Sequence, residues 1–95
     1  MGRHLFTVED VWRIWRKGLI LAPGVSADDA MTIPQGSEIE LRRPDGTMHC
    51  TAICAIEYPP SVRWLCNPDN PRYGIIVSED VRESDVPIGT EVYLR

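Results

Sequence analysis

Cysteine and histidine are the residues of this chain best suited to metal binding or nucleophilic catalysis. Cys50 and Cys54 lie in the strand-like run TMHCTAICAIE, and Cys66 follows later. Because a strand rises ~3.3 Å per residue, the sulfurs of Cys50 and Cys54 should be about 13 Å apart, too far to share one zinc ion. His49 and Cys50 are adjacent, so their side chains leave opposite faces of the strand and cannot pair as base and nucleophile. The spacing therefore predicts no metal site and small, buried, inward-facing cysteines.

Catalytic and cofactor motifs are also missing from the sequence. The chain has none of the phosphate-loop, dinucleotide-binding, zinc-protease or serine-hydrolase motifs, and no pair of CxxC motifs. Four acids near the C-terminus are typical of a solvated turn: Glu79, Asp80, Glu83 and Asp85. We therefore predict that the protein is not an enzyme and uses no metal, nucleotide or other cofactor.

The clearest binding signal is the basic-aromatic segment Trp12-Arg13-Ile14-Trp15-Arg16-Lys17. Indole rings interleaved with cations can stack bases and neutralise phosphates. The alternative, which we favour, is that a tryptophan packs against the fold while the cations keep a tight turn soluble. If the segment is functional, at least one of Trp12 and Trp15 must be accessible, because Val11 marks the inward face of that strand.

A second candidate surface is the proline-rich loop of residues 58–71, which carries Trp64. Loops hold many binding residues, and tryptophan is enriched at interaction hot spots. Equally, such a loop can fold its own apolar residues over one end of the domain. Both interpretations stay open for Trp64.

Length, composition and charge limit the class of protein. With 95 residues, 43% of them hydrophobic, the chain is long enough for one core, so we predict a single domain spanning residues 1–95. Fourteen acidic residues against ten basic ones give a net charge of −4, which disfavours a generic nucleic-acid or membrane-surface binder. No apolar run approaches the ~18 residues of a membrane span. Three cysteines that cannot all pair favour a reduced, cytoplasmic protein.

Short alternating runs separated by turn residues make up most of the chain. Five or six strands are predicted in these segments: LFTVEDVWRI, GLILAP, SEIELRR, TMHCTAICAIE, RYGIIV and VPIGTEVYLR. SADDAMTIPQG is typical of a polar turn, and SEDVRESD allows one helical turn. No apolar pattern of period 3.6 supports a helix longer than about three turns. We therefore predict an all-β fold, a small antiparallel barrel whose closure removes exposed edges.

The sharpest local prediction is a hairpin with a four-residue loop, Arg43 to Gly46. Alternation places five residues of its second strand inward: Met48, Cys50, Ala52, Cys54 and Ile56. Matching inward faces then pairs Ile39 with Cys50 and Leu41 with Met48. In that register, Glu40 lies opposite His49 on the outer face.

Motifs spread along the chain carry a family resemblance. The opening Val8 to Ile14, a short turn, Gly18 to Leu21 and a glycine at Gly24 are followed by Ile33 to Leu41. Ala55-Ile56-Glu57, Tyr73 to Val77 and Glu79 to Val92 complete the order. Together they resemble domain 2 of the translational GTPases, above all elongation factor Tu, over nearly the whole chain. The resemblance implies a six- or seven-stranded Greek-key barrel, elongation factor Tu domain 2-like.

Site residues are also implied by this resemblance. In elongation factor Tu the barrel packs on the GTPase domain and helps hold the aminoacylated end of tRNA. Four residues here match positions that line or flank that pocket: Glu9, Asp10, Trp12 and Glu57. Ala22 and Arg72 stand where the family has Thr and Asn, and Trp15-Arg16-Lys17 replaces its glycine-rich turn. No phosphate loop of a GTPase domain is present.

Two functional hypotheses follow. The first is a non-catalytic protein-interaction adaptor of the translation-factor barrel type, binding another protein through the basic-aromatic segment or the Trp64 loop. The second is an RNA- or tRNA-end-binding module related to translation, whose binding should weaken steeply with salt. Across both hypotheses the candidate contact residues are Glu9, Asp10, Trp12, Trp15, Arg16, Lys17, Glu57, Trp64 and Arg72.

Overall fold

Short strands dominate the fold, as the sequence predicts. A computed structural model describes residues 2–57 and 71–95 of the protein. Within those ranges there are seven strands: β1 (Arg3–Thr7), β2 (Asp10–Ile14), β3 (Gly18–Ser26), β4 (Glu38–Arg42), β5 (Met48–Glu57), β6 (Arg72–Val77) and β7 (Glu91–Leu94). Helix α1 (Ala27–Thr32) and a single 3₁₀ turn (Glu83–Asp85) complete the elements. The predicted all-β class is confirmed.

The strands form one antiparallel sheet in the order β1-β7-β4-β5-β6-β3-β2. Strands β4, β5 and β6 follow one another, and β7 returns to pair with β4, which is the Greek-key order. The sheet curls into a half-barrel. Its two outermost strands, β1 and β2, are consecutive in the chain and joined by Val8 and Glu9. Val8 N–H donates to the Thr90 carbonyl beside β7 and Glu9 N–H to the Ala22 carbonyl on β3, so this bend hydrogen-bonds to the neighbour of each outermost strand.

Alternating apolar residues fill the inside of the curl. Leu21 on β3 stands across from Ile75 on β6, and both are fully buried. Burial of one such side chain stabilises the fold by about 1.5–3 kcal/mol. The same buried cluster includes Phe6, Val8, Leu19, Val25, Ile33, Ile39, Leu41, Ile53, Val77, Val81, Val86 and Val92. The core therefore draws on every strand of the sheet except β2, whose Val11 packs against its edge.

Two elements differ from the sequence prediction. LFTVEDVWRI, predicted as one strand, is divided into β1 and β2, because the bend lets each half pair with a different strand. The predicted polar turn after β3 contains the six-residue helix α1. The Ser26 hydroxyl accepts from Asp29 N–H at 3.2 Å, which caps the helix, and Asp28 favours its first turn. No helix in the described ranges is longer, as predicted.

The predicted register of the β4–β5 hairpin is wrong by one residue. Ile39 pairs with Thr51 and Leu41 with His49, while Glu40 lies opposite Cys50. The cause is the loop, which is closed by Arg43 N–H donating to the Thr47 carbonyl at 2.8 Å and is one residue longer than predicted. Since side chains alternate with period two, this slip reverses the faces of the strand.

The cysteines move to the outside as a result. Cys50 and Cys54 are exposed, and Met48 is 60% exposed, whereas Ile53 is buried. The predicted inward cysteines are therefore wrong for these two positions; Cys66 lies outside the described residues. The pairing of β5 with β6 is irregular between Ile53 and Ala55. Beyond this irregularity, Ile56 packs against the core, as predicted.

Exposed thiols give a direct test of this register. Both Cys50 and Cys54 should react with a disulfide reagent in native buffer, because neither is covered by the fold. Cys50→Ser and Cys54→Ser should each remove one fast-reacting equivalent in a spectrophotometric assay. If either thiol labels only after denaturant is added, the register is contradicted.

The hairpin loop makes a second prediction, about pH. The hydroxyl and then the N–H of Thr47 donate to the Asp45 carboxylate at 2.6 and 2.9 Å, and these bonds lower its pKa. A depressed folded-state pKa contributes stability above the unfolded-state pKa, and this contribution is lost as pH falls through the folded-state pKa. Asp45→Asn should therefore lower the free energy of unfolding at neutral pH but not in strong acid. Urea titrations at both pH values measure this, and an equal loss in both would contradict it.

Candidate interaction site on the β2–β3 turn

The turn between β2 and β3 consists of Trp15, Arg16 and Lys17, called here the exposed turn. Lys17 N–H donates to the Ile14 carbonyl at 3.0 Å and closes it. Arg16 adopts a left-handed φ of 63°. Gly18 follows with a φ of 129°, and a Cβ built there would lie 2.0 Å from the Val77 carbonyl oxygen. The base of the turn therefore lies directly against the end of β6, and only glycine fits at that position.

Trp15 projects from this turn into solvent. Its side chain is 80% exposed, the most exposed aromatic residue in the described ranges. The Arg16 guanidinium carbon lies 4.5 Å from the centroid of the Trp15 ring. A cation–π contact at an exposed site is worth about 0.5–1 kcal/mol, which helps to fix the two side chains relative to each other.

Trp12 has a different environment. It is half-buried on β2 and lies across from Ile20, which pairs in turn with Ile76, and Ile76 with Ala55. We call these four residues the outer row, because Ile20 alternates with the core residue Leu21 and so faces the opposite side of the sheet. Ile20 and Ile76 are fully buried. Trp12 therefore contributes to packing, whereas Trp15 provides the accessible tryptophan that a functional segment would require.

The cations of the basic-aromatic segment are largely neutralised. Arg13 donates to the carbonyls of Glu79 and Val81 at 3.0 and 2.8 Å and pairs with the Glu83 carboxylate at 3.1 Å. The backbone N–H of Glu83, and then the Arg13 guanidinium, lower the pKa of that carboxyl. Arg13 thus anchors the connection between β6 and β7 to β2.

Lys17 is paired as well. Its ammonium nitrogen lies 2.5 Å from a carboxylate oxygen of Glu57 at the end of β5. The structure therefore brings together two of the predicted site residues, as an ion pair. Within the described ranges, Arg16 is the one cation of the segment with no carboxylate within 4.0 Å.

The other candidate residues lie away from the exposed turn. Glu9 is exposed at the bend, and Asp10 opens β2 across from Ala22. Arg72 is half-buried at the start of β6, across from Ser26 at the end of β3. Trp64 lies outside the described residues. The predicted residues thus divide between the two ends of β2 and β3.

A separate groove of about 510 Å³ was not predicted. It is lined by Gly2, Glu38, Glu40, Arg42, Met48 and Arg95. Its charges pair internally: Arg42 with Glu40 at 2.6 Å and Arg95 with Glu38 at 3.5 Å. Alternation along β4 indicates which of these side chains face outward, but nothing in the sequence signals a groove. Its balanced charges give it no preference for anions or cations.

Neither a metal centre nor a membrane span is found in the described part of the chain. Residues 2–57 and 71–95 contain no group of three His, Cys, Asp or Glu side chains placed to hold a metal ion. No helix there has the length and apolar character needed to cross a bilayer. Comparison of the chain with protein-family models, curated proteins and solved structures returns no significant match.

The different environments of the two tryptophans predict different costs of truncation. Trp12→Ala should lower the free energy of unfolding by about 2 kcal/mol, because it removes a half-buried ring from the outer row. Trp15→Ala should change it by less than about 0.5 kcal/mol, as for other exposed positions. Urea unfolding followed by circular dichroism measures both. Equal destabilisation would show that Trp15 also supports the fold.

Proposed function

We propose that the protein is a non-catalytic protein-interaction module that contacts its partner through the exposed turn. One observation carries this proposal: Trp15 is 80% exposed on a turn whose backbone is fixed. Exposure of a large aromatic side chain is unfavourable in water, whereas tryptophan dominates the energetics of many protein interfaces.

The contacts at the base of the turn support the proposal. Lys17 N–H closes the turn, its ammonium group is tied to Glu57, and Gly18 sits against the Val77 carbonyl. A contact residue that is already ordered loses little conformational entropy when it binds. The exposed turn therefore has the properties of a preorganised anchor.

Charge favours a protein partner over RNA. RNA affinity depends on several cations that neutralise phosphates. Here Arg13 and Lys17 are engaged with Glu83 and Glu57, in a chain of net charge −4. Arg16 alone can neutralise only about one phosphate, which is too few for strong electrostatic binding of a nucleic acid. The resemblance to domain 2 of the translational GTPases does not separate the two partners, since that barrel both packs against a protein domain and helps hold the end of tRNA.

Affinity capture with matched variants tests the proposal. The tagged protein, Trp15→Ala and a control, Met31→Ala, are used to capture partners from native lysate with and without nuclease. Met31 is a suitable control because it is 86% exposed on α1, away from the exposed turn. The captured protein is then purified and its affinity measured for each variant.

We expect the protein to capture a partner protein equally well with and without nuclease. Trp15→Ala should weaken its binding by about 2 kcal/mol, or roughly 30-fold, and Met31→Ala should have no effect. Capture that disappears with nuclease would indicate RNA instead and contradict the proposal. Binding that is unchanged in Trp15→Ala would contradict it too.

A further inference from the structure

Arg16 is the chemical feature of the exposed turn that packing does not explain. The other two cations of the basic-aromatic segment have carboxylate partners within 4.0 Å, whereas Arg16 contacts the Trp15 ring. Its φ of 63° is a conformation that a residue other than glycine rarely adopts. Arg16 and the exposed indole beside it form a small site with one apolar face and one positive charge that has no carboxylate within 4.0 Å among residues 2–57 and 71–95.

We infer that Trp15 and Arg16 together bind a short segment of a partner protein in which a single Asp or Glu lies next to an apolar side chain. This inference rests on the proposed function and specifies the chemistry of the partner. The apolar side chain covers the indole, and the carboxylate accepts hydrogen bonds from the guanidinium. Both contacts lie on adjacent residues, so one short segment satisfies them together.

The geometry of Arg16 suits a carboxylate. A guanidinium that lies over an aromatic ring keeps its N–H groups at its edge, where they can donate two parallel hydrogen bonds to one carboxylate. Contact with the ring also reduces hydration of the cation, so less water must be removed when the carboxylate binds. Arginine at this position is therefore prepared for a planar anion rather than for general solvation.

The surrounding acids limit how much negative charge the segment can carry. Glu57 pairs with Lys17 and Glu83 pairs with Arg13, so the three cations of the basic-aromatic segment and these two carboxylates carry one net positive charge. A run of several acids, or a nucleic-acid backbone, would meet only this one net positive charge. The protein's overall charge of −4 would repel the additional negative charges. The balance of charges selects a segment with one acid beside an apolar residue.

Selection of displayed random peptides on the intact protein tests the inference. Selected peptides should be enriched in Asp or Glu adjacent to an aromatic or aliphatic residue. The best one is synthesised and titrated by calorimetry against the wild type, Trp15→Ala, Arg16→Asn and Arg3→Glu. Asn tolerates a left-handed φ, so Arg16→Asn removes the charge and keeps the turn. Arg3→Glu is a charge control on the exposed edge of β1, where its ion pair with Asp29 contributes little to stability.

Arg16→Asn should weaken binding about tenfold or more, because a charge-assisted hydrogen bond is lost. Replacement of the peptide acid by its amide should cost the wild type a similar factor and Arg16→Asn almost nothing. Arg3→Glu should bind as the wild type does. If binding requires Trp15 but is indifferent to Arg16 and to the peptide acid, the inference fails and the proposed function stands. If no selected peptide depends on Trp15, both are overturned.

Discussion

The bend at Val8 and Glu9 is the constraint on which the rest of the structure depends. Val8 hydrogen-bonds to Thr90 beside β7, and Glu9 to Ala22 on β3. One short stretch of chain thereby joins the two outermost strands of the curled sheet and hydrogen-bonds to the neighbour of each. It also directs β2 along β3, with Trp12 in the outer row and the exposed turn beyond the end of the strand.

Ion pairs change the functional interpretation of the basic-aromatic segment. In the sequence, three cations beside two tryptophans are compatible with RNA. In the fold, Arg13 holds the β6–β7 connection and Lys17 holds Glu57, so two of the three charges serve the domain itself. What remains for a partner is Trp15 with Arg16 against it. A small aromatic anchor with one charge is better matched to a protein surface than to a phosphate backbone.

Periodicity predicts most of this fold because strand identity depends on local pattern. The alternation of SEIELRR, TMHCTAICAIE and RYGIIV locates β4, β5 and β6. The absence of a helical period correctly predicts that residues 2–57 and 71–95 contain no long helix. The predicted register of the β4–β5 hairpin is wrong because turn composition suggests a loop of four residues, Arg43 to Gly46. In the structure the loop also includes Thr47, whose carbonyl accepts a hydrogen bond from Arg43 N–H. That single residue reverses the faces of β5 and exposes Cys50 and Cys54.

The sequence pattern does not place the individual residues of the basic-aromatic segment. Alternation along β2 cannot show that the strand ends at Ile14, so it cannot distinguish Trp12 on the sheet from Trp15 on the turn. Nor can residue type show that Arg13 reaches Glu79 and Val81, which are distant in sequence. Ion pairs between residues distant in sequence determine which cations of the basic-aromatic segment are neutralised by a described carboxylate.

The central claim is that Trp15 is both exposed and held in place, and nuclear magnetic resonance tests it most directly. Paramagnetic broadening by a soluble probe reports exposure of each indole N–H, and backbone relaxation reports the order of the turn. We expect strong broadening for Trp15, weak broadening for Trp12, and order parameters at Trp15 and Arg16 near the rigid-backbone value of about 0.85. A protected Trp15 indole, or order parameters below about 0.6 in the turn, would contradict it.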